Sequence, residues 1–235
     1  MTKFALNVCA YVVGLPLQAL IIVAMLRGSY RRLPLVFAYM VFLFIATLAE
    51  TPLYVATYGF RMTNGVSLYV KLYWTNERIL LALVFLSVIS LIYQAVEKTH
   101  SRRVIHVGIV AGAILFAAIT FWVYYDKNLG PGEWMTPWTS SLNFGAAILD
   151  LALWTMLIAA RAKDHRLLLL SGGLGIQFTG QAIGEAIRNL AQRNRSSSIS
   201  FAGGVLMIIT NLMFLYIWYQ ALRSNQRTRQ VATGG

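Results

Sequence analysis

The stretch VIHVGIVAGAILFAAITFWVYY, residues 104–125, contains no aspartate, glutamate, lysine or arginine. At about 1.5 Å of rise per residue, a helix of this length crosses a hydrocarbon layer about 30 Å thick. It is apolar on every side, whereas a helix at the surface of a soluble protein is apolar on one face only. The stretch therefore predicts a membrane-spanning helix.

The rest of the chain has the same character. Of its 235 residues, 58% are hydrophobic and only 12% are charged, whereas a soluble domain carries about 25% charged residues. Seven apolar runs are each long enough to cross a bilayer, at residues 4–26, 35–58, 68–96, 104–125, 139–160, 167–188 and 201–222. We expect an all-α membrane protein: a seven-transmembrane-helix bundle in a single domain, residues 1–223, followed by a polar cytoplasmic tail, residues 224–235.

Basic residues gather at one set of helix ends and predict the orientation. Twelve of them follow the first, third, fifth and seventh runs, and seven lie near the opposite ends. The positive-inside rule puts the richer side in the cytoplasm, with the N-terminus outside and the C-terminus cytoplasmic. Arg188, Arg193 and Arg195 lie on the poorer side and run against the rule. The expected location is the inner (plasma) membrane, crossed in multiple passes.

The formal net charge of +12 does not indicate a nucleic-acid partner, because the basic residues sit at helix ends. Basic loops beside a membrane attract anionic lipid headgroups instead. The expected partners are therefore the lipid bilayer and the anionic headgroups at the cytoplasmic loops. Binding to other membrane subunits, or to further copies of the chain in a homo-oligomer, is an alternative that the sequence leaves open.

The chain contains a weak internal similarity. Offsets of 136, 135 and 126 residues align Asn7 with Asn143, Glu50 with Glu185, and the Tyr-Gln-Ala triplet at 93–95 with that at 219–221. Apolar helices also match by chance, so the similarity has two open explanations, chance and a true duplication. A duplication would pair repeats 4–98 and 139–223 and leave residues 104–125 as a linker helix. Both repeats would begin outside, so they would be parallel, in a 3+1+3 arrangement.

Helix count, topology and repeat pattern resemble the broad group of seven-helix proteins that includes the PQ-loop sugar transporters and the opsins. The likeness does not extend to motifs: the nearest approach to a Pro-Gln dipeptide is Pro16-Leu17-Gln18. Covalent retinal is excluded on chemistry, since residues 201–222 contain no lysine for a Schiff base.

Other cofactors and enzymatic chemistry are also not expected. The three histidines fall at predicted cytoplasmic helix ends, which disfavours bis-histidine haem. No nucleophilic triad or phosphate-binding glycine loop can form inside the membrane. A carboxylate metal site would compete with Arg78 and Arg188. We therefore expect no cofactor, no metal and no enzymatic activity.

Polar residues inside the predicted spans are the candidate functional residues. A charge in the hydrocarbon region costs at least about 2.5 kcal/mol on insertion scales, so such residues should face the bundle interior. The set comprises Glu50, Tyr54, Glu77, Arg78, Asp150, Gln177, Gln181, Glu185 and Asn211. By topology they lie at the midplane and in the outer half, whereas the inner half is almost purely apolar.

Three interpretations of this set are open. It could line an outward-facing polar cavity that binds a small molecule or ion, for transport or sensing. It could be a structural network of mutually neutralising groups, or a docking surface that makes the chain a non-catalytic membrane subunit or scaffold of a larger membrane complex. A cavity lined by these residues would favour the first interpretation.

Three finer expectations follow from the same residues. Arg78 should lie inside the bundle within salt-bridge distance of Glu77, Glu50 or Glu185, because its guanidinium cannot lose its charge. The Gly180-x-x-x-Gly184 motif fits a close helix crossing, through tight packing inside the bundle, with a hinge or a homodimer contact as the alternatives. Aromatic side chains that could line a ligand pocket, or anchor the protein at the interface, are Tyr54, Tyr58, Tyr73, Trp74 and Trp154.

Overall fold

The computed structural model describes residues 2–28, 30–59, 65–95, 102–126, 131–159, 165–193 and 197–233. Within these ranges the fold is all-helical. The helices are α1 (Thr2–Leu26), α2 (Pro34–Tyr54), α3 (Gly65–Ala95), α4 (Arg102–Tyr124), α5 (Pro131–Ala159), α6 (His165–Arg193) and α7 (Ser197–Thr233).

All seven helices are long and apolar enough to cross a membrane. The prediction of seven helices long and apolar enough to span a membrane is confirmed, which supports a multi-pass membrane protein. The last helix differs from the expectation, because α7 continues from the apolar run through the polar segment 224–233.

Six of the helices form a closed ring, in the order α1, α2, α3, α5, α6, α7 and back to α1. Helix α4 lies outside this ring and packs against α3 and α5. Its outer face is strongly exposed, and Trp122 is 86% accessible. Apolar exposure of this kind is expected for a helix that contacts lipid on most of its surface.

The two ends of the bundle differ in chemistry. The hydrophobic core is concentrated where α1, α3, α5 and α7 end, and we call this the apolar end. It contains Met25, Met40, Val88, Leu157 and Trp218, all almost fully buried. The indole nitrogen of Trp218 donates a 2.9 Å hydrogen bond to the Leu170 carbonyl oxygen. The opposite end, where α1, α3, α5 and α7 begin, is the polar end.

Close packing of α6 on α7 depends on glycine. A Cβ atom at Gly203 would lie 2.8 Å from the Gly184 carbonyl oxygen, and one at Gly180 would overlap Thr210. Small residues let two helix backbones approach in this way. The close crossing predicted from Gly180 and Gly184 is therefore confirmed, and it lies within the bundle.

Helix α2 ends in an irregular turn at the polar end. Pro52 has no backbone N–H, and the helix widens into a π-helical turn at Val55–Gly59 just beyond it. The turn carries Tyr58 and follows directly on Tyr54. It therefore orients aromatic side chains next to the polar interior of the ring.

Candidate functional site

A cavity of about 290 Å³ lies inside the helical ring, towards its polar end. Every helix of the ring contributes to its wall. Its polar lining includes Asn7, Gln18, Thr47, Glu50, Glu77, Asn143, Gln177, Gln181, Glu185 and Asn211. We call this space the polar cavity.

Hydrogen bonds across helix pairs hold part of the cavity wall in place. The Asn76 side-chain nitrogen donates to Glu50 Oε1 at 2.8 Å, which joins α3 to α2. The Tyr39 hydroxyl and the Gln177 side chain are 3.1 Å apart, which joins α2 to α6 across the ring. Tyr39 is almost fully buried, so this contact lies between the polar cavity and the apolar core.

Three carboxylate residues, on α2, α3 and α6, line the cavity. Glu77 on α3 interacts electrostatically with Glu50 on α2 and with Glu185 on α6. Glu185 is only 9% exposed, and its Oε2 has no hydrogen-bond partner among the described residues. The Ser140 hydroxyl and the Arg188 guanidinium interact favourably with the Glu185 carboxylate. A buried, unpaired acceptor of this kind is costly unless a further group satisfies it.

A second unsatisfied acceptor belongs to α1. Gln18 on α1 is 2% exposed, and its Nε2 donates a long 3.4 Å bond to Thr47 Oγ1. Its Oε1 has no partner in the part of the chain that the structure describes. Two residues that line the cavity, on α1 and α6, thus carry buried acceptors without matching donors among the described residues.

A wider chamber of about 390 Å³ continues from the polar cavity towards the end of the bundle. It shares Asn7, Tyr11, Tyr73, Glu77 and Glu185 with the cavity. The rings of its wall belong to Tyr11, Tyr54, Tyr58, Tyr69, Tyr73 and Trp74, and we call it the tyrosine vestibule.

The vestibule rings pack on one another. The centroids of Tyr54 and Tyr58 are 4.9 Å apart, and Tyr69 contacts both at 5.8 Å. The Asn7 side chain donates a 2.7 Å hydrogen bond to the Tyr54 hydroxyl. Arg188 also lines this chamber, so a cation lies beside the carboxylates at the wide end of the site.

The structure brings most of the predicted residues together. Glu50, Glu77, Gln177, Gln181, Glu185 and Asn211 line the polar cavity, and Tyr54 lines the vestibule. Among the predicted aromatic residues, Tyr58, Tyr73 and Trp74 also line the vestibule, whereas Trp154 is 43% exposed on the outer surface.

Asp150 lies outside the polar cavity. It is 3% exposed, and its Oδ1 accepts a 2.8 Å hydrogen bond from the Ser171 hydroxyl, which joins α5 to α6. Its other oxygen faces Gly175. Asp150 is seven residues beyond Asn143 on α5, about 10 Å further from the polar end. This distance separates it from the other carboxylates.

The expectation for Arg78 was wrong. The side chain is exposed on the outer face of α3, and its Nε donates to the Trp74 carbonyl oxygen at 3.1 Å. No carboxylate lies within 4.0 Å of its guanidinium among the described residues. Adjacent helical positions point about 100° apart, so when Glu77 faces the cavity Arg78 cannot. The long side chain reaches instead towards the polar end along its own helix.

Several cavity residues were missed in the sequence. Asn7, Tyr11 and Gln18 on α1 line the cavity, and Tyr39 hydrogen-bonds to its wall. A signal was present, because positions 7, 11, 14 and 18 follow the three- and four-residue steps of one helix face. The candidate set was built around charged residues and did not include the amides and hydroxyls of α1.

No family model matches the sequence, and no curated protein or solved structure matches the chain. The function is therefore inferred from the residues and geometry of the site.

Proposed function

We propose that the chain is an integral membrane protein that binds a small organic cation in the polar cavity, as a transporter or a sensor. The observation that carries the proposal is the buried Glu185 Oε2, an acceptor without a partner among the described residues, on a residue that lines the cavity. A ligand with N–H donors or a positive charge would satisfy it.

The charges around the cavity favour a cation. Glu50, Glu77 and Glu185 carry three potential negative charges, and Arg188 lies beside one of them. Buried like charges repel strongly where the local dielectric constant is low. A bound cation compensates them at a lower cost than leaving them unpaired. The amide oxygen of Gln18 offers a further acceptor.

The geometry favours an organic cation over a metal ion. Among the described residues, no three carboxylate, histidine or cysteine side chains converge closely enough to hold one metal. The tyrosine vestibule provides aromatic faces, which attract ammonium groups by cation–π interaction, worth about 0.5–2 kcal/mol. The polar cavity, at about 290 Å³, has room for a small alkylammonium ion.

The proposal includes an orientation and a location. Basic helix ends favour a cytoplasmic apolar end in the inner membrane, so the vestibule would open outward. The helix arrangement also supports the internal repeat. If α1, α2 and α3 exchange places with α5, α6 and α7, respectively, each pair of neighbouring helices in the ring is replaced by another neighbouring pair. Helix α4 lies outside the ring, as a linker would. The cavity would then lie between the two repeats, as in many transporters.

The test compares three probes of one shape and different charge. Purified protein in lipid nanodiscs is titrated with tert-butylammonium, tert-butanol and pivalate, and binding is measured by calorimetry. We expect the ammonium ion to bind and the neutral and anionic isosteres to bind at least about tenfold more weakly, a difference of about 1.4 kcal/mol. Binding of all three with similar affinity would remove the argument from charge.

A matched pair of acid-to-amide variants locates the site. Glu185→Gln removes a cavity carboxylate and should lose most of the ammonium binding. Asp150→Asn makes the same chemical change outside the cavity and keeps a partner for Ser171, so binding should persist. If both variants bind like the parent, the polar cavity is not the site. A scaffold role would be favoured if no probe binds and the chain copurifies with a fixed membrane partner.

A further inference from the structure

A second concave surface, larger than the polar cavity, lies on the outer side of the bundle between α3, α4 and α5. It is a groove of about 1080 Å³. Its walls are almost entirely apolar and include Ala82, Phe85, Ile89, Val110 and Ile114. In a membrane-spanning bundle this position faces the lipid, so hydrocarbon chains are the material available to fill it.

Arg78 interrupts this apolar lining near the polar end of the groove. It lies about 15 Å along α3 from Leu68, where the apolar segment begins. The Nε bond to the Trp74 carbonyl directs the side chain towards the polar end and leaves the two terminal nitrogens available. A guanidinium in a span is stabilised only by a partner, by snorkelling or by a local defect in the bilayer.

We propose that the groove is a binding site for an anionic phospholipid of the surrounding bilayer. Its phosphate pairs with the Arg78 guanidinium, and one acyl chain lies along the groove towards Tyr93. Guanidinium and phosphate form two parallel, charge-assisted hydrogen bonds. The lipid phosphate therefore supplies a partner for Arg78, which none of the described carboxylates does.

The dimensions agree with this occupant. Arg78 and Tyr93 mark the two ends of the α3 wall, about 22 Å apart along the helix. The Arg78 side chain reaches back towards the polar end, so the phosphate lies nearer the membrane surface than the Arg78 Cα does. An acyl chain about one leaflet long, about 15 Å, then fits within the groove beside apolar side chains. The groove is separate from the polar cavity, because Glu77 and Arg78 point to different sides of α3. The two proposals therefore fail independently.

The experiment measures lipid that stays bound to the full chain. Protein reconstituted in nanodiscs of mixed phosphatidylglycerol and phosphatidylcholine is extracted into mild detergent, and retained lipid is counted by native mass spectrometry. The parent should retain phosphatidylglycerol over phosphatidylcholine. Arg78→Gln should lower this retention by roughly tenfold, as expected for charge-assisted hydrogen bonds. Lys71→Gln removes the same charge from an exposed position outside the groove and should retain lipid like the parent.

A second variant tests the acyl chain. Ala82 is exposed and lines the groove, so Ala82→Phe fills the groove without changing charge and should also lower retention. A photoactivatable phosphatidylglycerol should crosslink to α3 and α4 in the parent. The proposal is overturned if Arg78→Gln retains as much phosphatidylglycerol as the parent, or if both lipids are retained equally. It is also overturned if Ala82→Phe has no effect, since the groove would then be unoccupied.

Discussion

The Asn76 side-chain nitrogen donates a 2.8 Å hydrogen bond to Glu50 Oε1, which joins α3 to α2 at the wall of the polar cavity. Asn76 is 7% exposed, so the bond is shielded from bulk solvent. The amide supplies a donor to a carboxylate that shares the cavity wall with Glu77 and Glu185. The pair thus supports both helix packing and the position of a candidate ligand group.

Replacing Asn76 should therefore destabilise the bundle. We expect Asn76→Leu to lower the free energy of unfolding by about 1.5–3 kcal/mol, the usual worth of a hydrogen bond to a charged group. Thermal unfolding in detergent measures the change. In the double variant Asn76→Leu with Glu50→Leu, both partners are apolar, and much of the loss should be recovered. Additive losses would show that the two residues are not coupled.

Two adjacent glycines on α7 should respond oppositely to alanine. A Cβ at Gly203 would lie 2.8 Å from the Gly184 carbonyl oxygen, whereas a Cβ at Gly204 has no atom within 4 Å among the described residues. Gly203→Ala should cost about 1–3 kcal/mol by overpacking the crossing of α6 and α7. Gly204→Ala should be neutral or stabilising by up to about 1 kcal/mol. Equal unfolding temperatures for the two variants would contradict the close crossing.

Arg78 should contribute little to the stability of the bundle in detergent without added lipid. Its side chain is exposed and unpaired among the described residues, so Arg78→Gln should change the free energy of unfolding by less than about 0.5 kcal/mol. Ser171→Ala is the contrast, because it removes the buried 2.8 Å bond to Asp150. It should cost about 1–3 kcal/mol. A large loss of unfolding free energy in Arg78→Gln would instead support the ion pair that the sequence predicted.

The orientation predicts where terminal reporters work. The C-terminus follows the seventh span and lies on the side with twelve basic residues, so a reporter fused after Gly235 should be active only if it needs the cytoplasm. A reporter that needs the outside should be active at the N-terminus. The reverse pair of results would invert the bundle, and the vestibule would then open to the cytoplasm.

Much of the fold was predictable from composition and run length. The run 104–125 lies within α4 except for Tyr125, one residue beyond the end of that helix, and each of the other predicted runs coincides largely with a helix. The bilayer imposes this correspondence, because a backbone in hydrocarbon must satisfy its hydrogen bonds within its own segment. Helix ends were less predictable. Helix α7 extends to Thr233, because the polar residues after the apolar run contain no turn signal that would end the helix.

The candidate site was predictable in part. Glu50 and Glu185 were identified because charge in an apolar run is conspicuous, and both line the polar cavity. Asp150 and Arg78 were equally conspicuous and lie elsewhere. Depth along the helix separates Asp150 from the others, and direction around the helix separates Arg78. Run length and composition determine neither the depth of a residue in the bundle nor its direction around the helix, since both depend on which neighbouring helix each face contacts.

The sequence by itself determined that the chain forms apolar helices long enough to span a membrane, because hydrophobic length is a property of each segment alone. It also determined that polar side chains are concentrated towards one end of those helices. Only the tertiary structure decided that six helices close into a ring with α4 outside. The same closure placed the amides of α1 beside the carboxylates of α2, α3 and α6, and left Arg78 on the outer side of the bundle. Those outcomes depend on packing between helices, which fixes the rotation of each one about its own axis.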